Sequence, residues 1–142
     1  MNRQISLVKS KGMQFQLPKD QAGQLSSPER MKAALTNNDV LAFDILLDEQ
    51  VIGFAMMRYF KVNSWFLWNY AIDPAYQGQG FGYAALNHII HYMGQVHQMQ
   101  LMTTTYLMGN RSAKGMYEKL GFIETDIVDQ EDCQEVNMAL TL

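Results

Sequence analysis

The sequence contains a single cysteine, Cys133, and therefore cannot close a disulfide within the chain. That scarcity points to a reducing compartment, with a cytoplasmic protein as the expectation. Cys133 itself is expected to be a small packing residue near the end of a strand. Proline is sparse, at three residues, and no tract is repetitive, compositionally biased or linker-like. One domain spanning residues 1–142 is the expectation. No apolar run approaches the ~20 residues that cross a bilayer, and Met1 to Ser10 has one basic residue, Arg3, before a short polar-apolar mix and lacks the pattern of a secretory signal. Membrane association is therefore not expected. Eleven Lys and Arg stand against fourteen Asp and Glu, for a formal net charge of −3. The basic stripe that a phosphodiester backbone requires is missing, which argues against a nucleic-acid partner. His88, His91 and His97 have no cysteine or carboxylate cluster at ligand spacing, so no metal site is expected.

What the chain does have is 48% hydrophobic residues, sufficient at this length for one core. Ile5 to Val8 predicts a first strand, and Lys9 to Gln24 shows no clear period. Ser27, Pro28 and Glu29 supply an N-cap, a proline at the first helical position and an acid in the first turn. Met31, Ala34 and Leu35 continue that helix until Asn37-Asn38-Asp39. Val40 to Leu47, Val51 to Phe60 and Trp65 to Ile72 read as a three-stranded meander, ended by Asp73-Pro74 because proline cannot donate to a ladder.

A glycine-rich turn, Gln77 to Gly82, then opens into a helix whose Ala85, Leu86, Ile89, Ile90 and Met93 share one face. Met99 to Thr105 predicts a strand. Asn110 starts a second helix that Gly121 closes. Phe122 to Val128 and Val136 to Leu140 are closing strands around the polar turn Asp129 to Glu135. The order predicts an α+β fold with a mixed sheet. Of the eleven methionines, Met56, Met57, Met93, Met99 and Met102 are expected to be adaptable core fillers.

The turn Gln77-Gly78-Gln79-Gly80-Phe81-Gly82 has a clear physical use. The first amides of a helix have no intrahelical acceptor, and the aligned peptide dipoles favour an anion there. Glycines let the chain bend and let a phosphate approach the backbone. A Walker loop requires Lys and Ser/Thr after its last glycine, whereas Tyr83 and Ala84 follow here. Gly80 to Ala85 matches the loose dinucleotide pattern GxGxxA, but three strands precede it and no acid lies about 20 residues on.

Tyr70 to Gly82 resembles the acetyl-coenzyme A signature of the GNAT acetyltransferase superfamily, whose core is Q/R-x-x-G-x-G/A. The later run Asn110-Arg111-Ser112-Ala113-Lys114-Gly115-Met116-Tyr117-Glu118-Lys119-Leu120-Gly121-Phe122 resembles the second signature of that family. The resemblance covers roughly Val40 to Leu140. It implies a mostly antiparallel sheet of six to seven strands, with a V-shaped splay between strands at about 65–72 and 99–105, flanked by helices. The cofactor it implies is acetyl-coenzyme A. Its arm would lie along Tyr70, Ala71 and Ile72, and its pyrophosphate on the amides of Gln77, Gly78, Gln79, Gly80, Phe81 and Gly82. Tyr83 begins the helix that faces it, Asn110 contacts the arm, and Tyr117 protonates the departing thiolate.

An amine would attack the thioester directly, with a backbone amide near Ile72 holding the oxyanion. Family members that carry a base on the strand before the glycine loop have Glu or His there; this chain has Phe66, Leu67, Trp68 and Asn69. A water relay anchored by Asn69, Tyr70 or Glu124 is the expected substitute. Trp68, Asn69, Thr103 and Thr104 are the expected acceptor-site residues.

The acceptor expected from the resemblance is a small-molecule primary amine, with a diamine or polyamine favoured through similarity to the spermidine acetyltransferase branch. Glu29, Asp44, Asp126 and Glu131 are the carboxylates available to such a dication, though each also reads as solvated surface charge. Two readings compete: a non-catalytic acyl-coenzyme A sensor, and a peptide or protein N-acetyltransferase, which would show an open groove. A homodimer formed through exposed aromatics such as Trp65 is a further expectation.

Overall fold

The computed structural model describes residues 4–23 and 25–142, so the readings that fall on Met1–Arg3 and Gln24 lie outside the described residues. Seven strands form one sheet in the order β1-β2-β3-β4-β5-β7-β6. They are β1 (Ile5–Lys9), β2 (Val40–Leu47), β3 (Gln50–Lys61), β4 (Ser64–Ile72), β5 (Leu101–Leu107), β6 (Ile123–Asp129) and β7 (Gln134–Thr141). Four helices accompany them: α1 (Lys19–Ala22), α2 (Pro28–Ala34), α3 (Phe81–Val96) and α4 (Arg111–Leu120). The α+β fold with a mixed, mostly antiparallel sheet is as the sequence implies.

Local chemistry explains most boundaries. Asp48 and Glu49, at φ 49° and 76°, form the two-residue loop of the β2–β3 hairpin, a geometry matched to the strand twist. The Ser27 side chain accepts from the Arg30 amide at 3.3 Å to start α2. Asn110 caps α4 by accepting from the Ala113 amide at 3.1 Å. Gly121, at φ 102°, ends α4, and a Cβ there would stand 3.3 Å from Leu140.

The long α3 and α4 pack on one face of the sheet, where Ile52, Met57, Leu86, Ile89 and Met93 are fully buried. The second face carries α2 over Phe54 and Met56, with Met13, Phe15 and Trp68 around them. Met56, Met57, Met93, Met99 and Met102 are core residues. Among the described residues, no helix is long and apolar enough to cross a membrane.

The splay positions the site. All neighbouring strands are antiparallel except β4 and β5, which are parallel and pair only from Ser64↔Leu101 to Leu67↔Thr104. The Thr104 hydroxyl donates to the Leu67 carbonyl at 3.2 Å on that last rung. One residue further, Trp68 is extra in the β3–β4 ladder: Met57 opposes Leu67 while Met56 opposes Asn69. A bulge of this kind bends its strand, and β4 remains paired to β3 as far as Ile72 while its other edge has no strand beside it.

Several sequence expectations are corrected. Trp65 is only 8% exposed and packs edge-on against Tyr59 and His97, so it offers no surface for dimerisation. Cys133 is exposed, because the β6–β7 turn holds it outside the sheet through a 2.7 Å bond from the Gln130 amide to its carbonyl. Asp44 is neither surface charge nor pocket carboxylate. It is buried within β2, where Ser10 Oγ at 2.7 Å and Gln14 Nε2 at 3.0 Å take its two oxygens. β5 begins at Leu101 rather than Met99, since the Gln100 and Leu101 amides bond to the Asn63 carbonyl first.

Candidate functional site

The glycine loop follows a short 3₁₀ turn, Pro74–Tyr76, started by the Asp73 carboxylate accepting from the Ala75 amide at 3.0 Å. Gly78 and Gly80 then adopt φ 76° and 86°, a left-handed region costly for residues with a Cβ. A Cβ at either position would meet nothing within 4 Å, so the backbone is bent around open space rather than around another part of the protein. The first amide bond into the helix runs from Ala84 back to Gly80 at 3.1 Å. The helix start therefore presents its amides and positive dipole end toward the loop.

Beside the loop lies a cavity of about 390 Å³ lined by Tyr70, Ala71, Ile72, Gln77, Gly78, Gly82 and Asn110. Seven sequence-chosen residues from the splayed strand, the glycine loop and the second signature thus share one cavity. Gln79 and Gly80 are exposed on the rim, Tyr83 is exposed on the first turn of α3, and Phe81 is half-buried with its ring 6.3 Å from Tyr76. Gly82 tolerates close neighbours, with Met116 Sδ 3.4 Å from where its Cβ would be. Ser112, Ala113 and Met116 also line the cavity; Ala113 follows Asn110 by three residues, and Met116 follows Ala113 by three and Ser112 by four, the spacing of one helix face. Leu17, Gln21 and Leu25 close the remaining side; in the sequence Leu17 and Leu25 show only partial apolar spacing, and Leu17 and Gln21 loosely echo the substrate-helix region of the spermidine acetyltransferase branch.

Two tyrosines flank the wedge. The Tyr70 hydroxyl donates to the Gly82 carbonyl at 2.6 Å, tying the splayed strand to the first turn of α3. Burial pushes its pKa far above the ordinary tyrosine range, and the proximity of Tyr117 adds to the shift. Tyr117 is 6% exposed, its ring held between Tyr106 at 6.3 Å and Phe122 at 5.3 Å. Burial raises its pKa as well, partly offset by a hydrogen bond with the Thr104 side chain. Thr104, whose hydroxyl donates to the Leu67 carbonyl on the last rung of the β4–β5 ladder, is also a neighbour of the Tyr117 phenol.

Two of the four acceptor-site candidates stay together: Thr103 and Thr104 both line a second, open groove of about 520 Å³, with Arg58, Phe60, Phe66, Asp126 and Asn137. Trp68 packs half-buried among the residues under α2. Asn69 is 1% exposed and engaged, accepting from the Ser26 amide at 2.9 Å and donating to Ser26 Oγ at 3.4 Å. Of the three relay anchors, Asn69 thus holds the chain before α2, Tyr70 bonds to Gly82, and Glu124 accepts from the Tyr106 hydroxyl at 3.1 Å.

The groove borders an unusual hairpin. From Ile123 to Leu142 the chain has six carboxylates, Glu124, Asp126, Asp129, Glu131, Asp132 and Glu135, and no Lys, Arg or His. Glu29, by contrast, is exposed on α2 and does not line the groove.

A β-bulged wedge in a mixed sheet, with a glycine loop opening a helix at its mouth, is the architecture of a coenzyme A-dependent acyltransferase. Residues 13–122 match the Acetyltransferase (GNAT) family, and the chain belongs to that family. The [ribosomal protein bS18]-alanine N-acetyltransferase of Haemophilus influenzae is 34% identical over 87 residues, covering 61% of this chain and 58% of that protein. The match thus spans less than two thirds of that relative. Among solved structures, the ribosomal-protein-S18-alanine N-acetyltransferase from Escherichia coli superposes with a TM-score of 0.72 at 23% identity, over 97% of this chain and 94% of that one. A GNAT family acetyltransferase from Elizabethkingia anophelis with acetyl-CoA bound gives 0.76 at 16% identity, over 97% and 98%. A spermidine N-acetyltransferase variant from Vibrio cholerae gives 0.77 at 15% identity, over 97% and 94%. At these identities the structures establish the fold.

Proposed function

We propose that this chain is an N-acetyltransferase that moves the acetyl group of acetyl-coenzyme A directly onto an amine. The observation that carries this reading is one cavity lined both by the free edge of β4 at Tyr70, Ala71 and Ile72 and by the glycine loop at Gln77, Gly78 and Gly82. The open cradle at Gly78 and Gly80 has room for a pyrophosphate, and the cavity leading from it ends at the splay, so the residues fit the cofactor. When bound, acetyl-coenzyme A supplies a thioester as the acyl donor.

The residues then divide the work. Amides of the glycine loop hold the phosphates. Backbone groups of Tyr70, Ala71 and Ile72 on the free edge of β4 hold the amide-bearing arm as a strand would. Asn110 sits on the same cavity from the α4 side. Tyr117 Oη would be the proton donor to the departing sulfur; a phenol is protonated at neutral pH, and burial raises its pKa further. The acceptor amine gives up its own proton to water in the groove, since the three anchors named from sequence are otherwise engaged.

The acceptor reading moves from a small polyamine toward an amine on a cationic, extended partner such as a basic peptide N-terminus. Support comes from the second groove, which is open and lined by Asp126, with its Arg58 already paired to Asp39, and from the β6–β7 hairpin that supplies Asp126 and carries five more carboxylates without a Lys, Arg or His. The relative from H. influenzae, which acts on a ribosomal protein alanine, fits the same reading. A polyamine remains the second reading because the same carboxylates complement a dication.

Turnover with acetyl-coenzyme A across a panel of basic peptides, diamines and amino acids tests the assignment. Acetylation of a basic peptide in preference to spermidine is expected. A dead panel with tight coenzyme A binding would replace catalysis by the sensor reading.

A further inference from the structure

The cofactor cavity has a wall that belongs to neither signature. α1 is four residues long, buries no side chain, and is too short to hold helical structure by itself. Yet it is fastened across the mouth of the cavity at one point. Gln21 Nε2 donates to Gln77 Oε1 at 3.0 Å, and Gln77 Nε2 donates to Gln21 Oε1 at 2.7 Å. The same Gln77 nitrogen donates to the Ile72 carbonyl at 2.7 Å. This one amide therefore joins three elements: α1, the end of the splayed strand and the first residue of the glycine loop.

Behind α1 lies a separate cavity of about 550 Å³, lined in part by Met13, Phe15, Met31 and Leu35. Leu17 and Leu25 line both cavities, so the α1 segment is the partition between them. It has space on each side, and displacing it disturbs no buried helix residue.

We infer that Gln21 is a positioning residue for the cofactor: its amide clasp on Gln77 holds α1 as a lid that keeps Leu17 and Leu25 against the bound arm and slows its escape. The inference rests on reading the 390 Å³ cavity as the coenzyme A site. Two exchanged hydrogen bonds at a partly exposed position convert to an affinity change of about three- to tenfold. The effect falls on dissociation, because the loop that recognises the phosphates stays intact.

The test measures coenzyme A binding to the intact protein by calorimetry and stopped-flow release, without any acceptor. Gln21→Ala is expected to weaken binding about three- to tenfold through faster release, with maximal turnover at saturating acetyl-coenzyme A within about twofold of the parent protein. Gln77→Ala should weaken it more, since the Ile72 contact goes too, and Gln21→Ala should then add almost nothing in the Gln77→Ala background. Gln16→Ala, exposed on the same segment, should leave binding unchanged. Parent-like binding by Gln21→Ala, or effects of the two substitutions that simply add, would overturn the lid. Should Gln21→Ala not fold, Gln21→Asn gives the same readout, its shorter side chain leaving the clasp unmade. Failure of the parent protein to bind coenzyme A would instead overturn the cofactor reading on which the lid rests.

Discussion

Replacing Tyr117 by Phe removes one oxygen and leaves the rest of the side chain where it is. The ring keeps its contacts with Tyr106 at 6.3 Å and Phe122 at 5.3 Å, and Thr104 keeps its bond to the Leu67 carbonyl at 3.2 Å. The polar neighbour lost is Thr104, and the stability change is expected to stay within about 1 kcal/mol. The catalytic loss is expected to be larger. General acid catalysis contributes on the order of 10²–10⁴, and a thiolate, with a conjugate acid near ~8.5, is a leaving group that needs the lower part of that help. The expected fall in kcat is about 10- to 100-fold, or about 1.4–2.7 kcal/mol of barrier. The assay is saturation kinetics with an acceptor from the panel, alongside calorimetric coenzyme A binding, which should stay within about twofold because the phosphates and arm are held elsewhere. A kcat within threefold of the parent value would remove Tyr117 from proton transfer. A matched loss of kcat and coenzyme A affinity would make it a packing residue of the cavity.

Three further outcomes follow from the geometry. Gly80→Ala places a Cβ at φ 86° with nothing within 4 Å of it; stability should fall by about 1 kcal/mol, read by denaturant titration, while coenzyme A affinity falls at least tenfold as the methyl group meets the phosphate. Tyr70 and Tyr117 both have native pKa values above their ordinary value, so the unfolded chain ionises first: their stability contribution is intact below about pH 10 and drains above it by about 1.4 kcal/mol per pH unit for each tyrosine. Denaturant titrations between pH 9 and 11 should show that slope shrinking in Tyr70→Phe, and an unchanged slope would contradict the burial argument. Glu131→Lys with Asp132→Lys, both exposed on the β6–β7 turn, should raise KM for a basic acceptor about fivefold at low salt, with the difference screened at about 0.5 M salt; equal KM values at low salt would detach the hairpin from acceptor binding.

The signals that survived from sequence to structure are those with a short-range cause. Ser27-Pro28-Glu29, Asn110 and Gly121 set helix ends through local hydrogen bonds and φ angles, and the observed ends fall on them. The strands of the meander were legible because hairpin chemistry and apolar pattern agree. What escaped depends on partners far along the chain. Asp44 reads as surface charge until Ser10 and Gln14 are seen 34 and 30 residues away. Trp65 reads as an exposed aromatic until His97 closes over it. Gln21 and Gln77 are 56 residues apart, and two glutamines carry no period that would announce their meeting. Cys133 reads as strand packing until the Gln130 amide is seen closing the turn onto its carbonyl.

The wedge itself poses an energetic question that the fold answers in part. Parting β4 from β5 after Leu67 exposes a row of backbone donors and acceptors from Trp68 to Ile72 on one edge of the strand, inside a cleft where β3 already occupies the other edge. Unpaired backbone groups are costly where water is restricted. Three side chains limit that cost. Thr104 closes the last rung on the Leu67 carbonyl, Gln77 takes the Ile72 carbonyl at 2.7 Å, and Tyr70 reaches across to Gly82 so that the strand cannot drift back. Between those anchors the edge at 69–71 is left for a ligand that is itself strand-like, with amides spaced along an extended chain. A triphosphate or a flat cofactor would leave those groups without partners, whereas an amide-bearing arm ending in a thioester would meet them and finish beside Tyr117. On the proposed reading the cleft would select its ligand through hydrogen bonds that the sheet does not make, so closing the gap, by Thr105→Val with Asn69→Val to favour further β4–β5 pairing, should lower coenzyme A affinity even though every loop amide is retained.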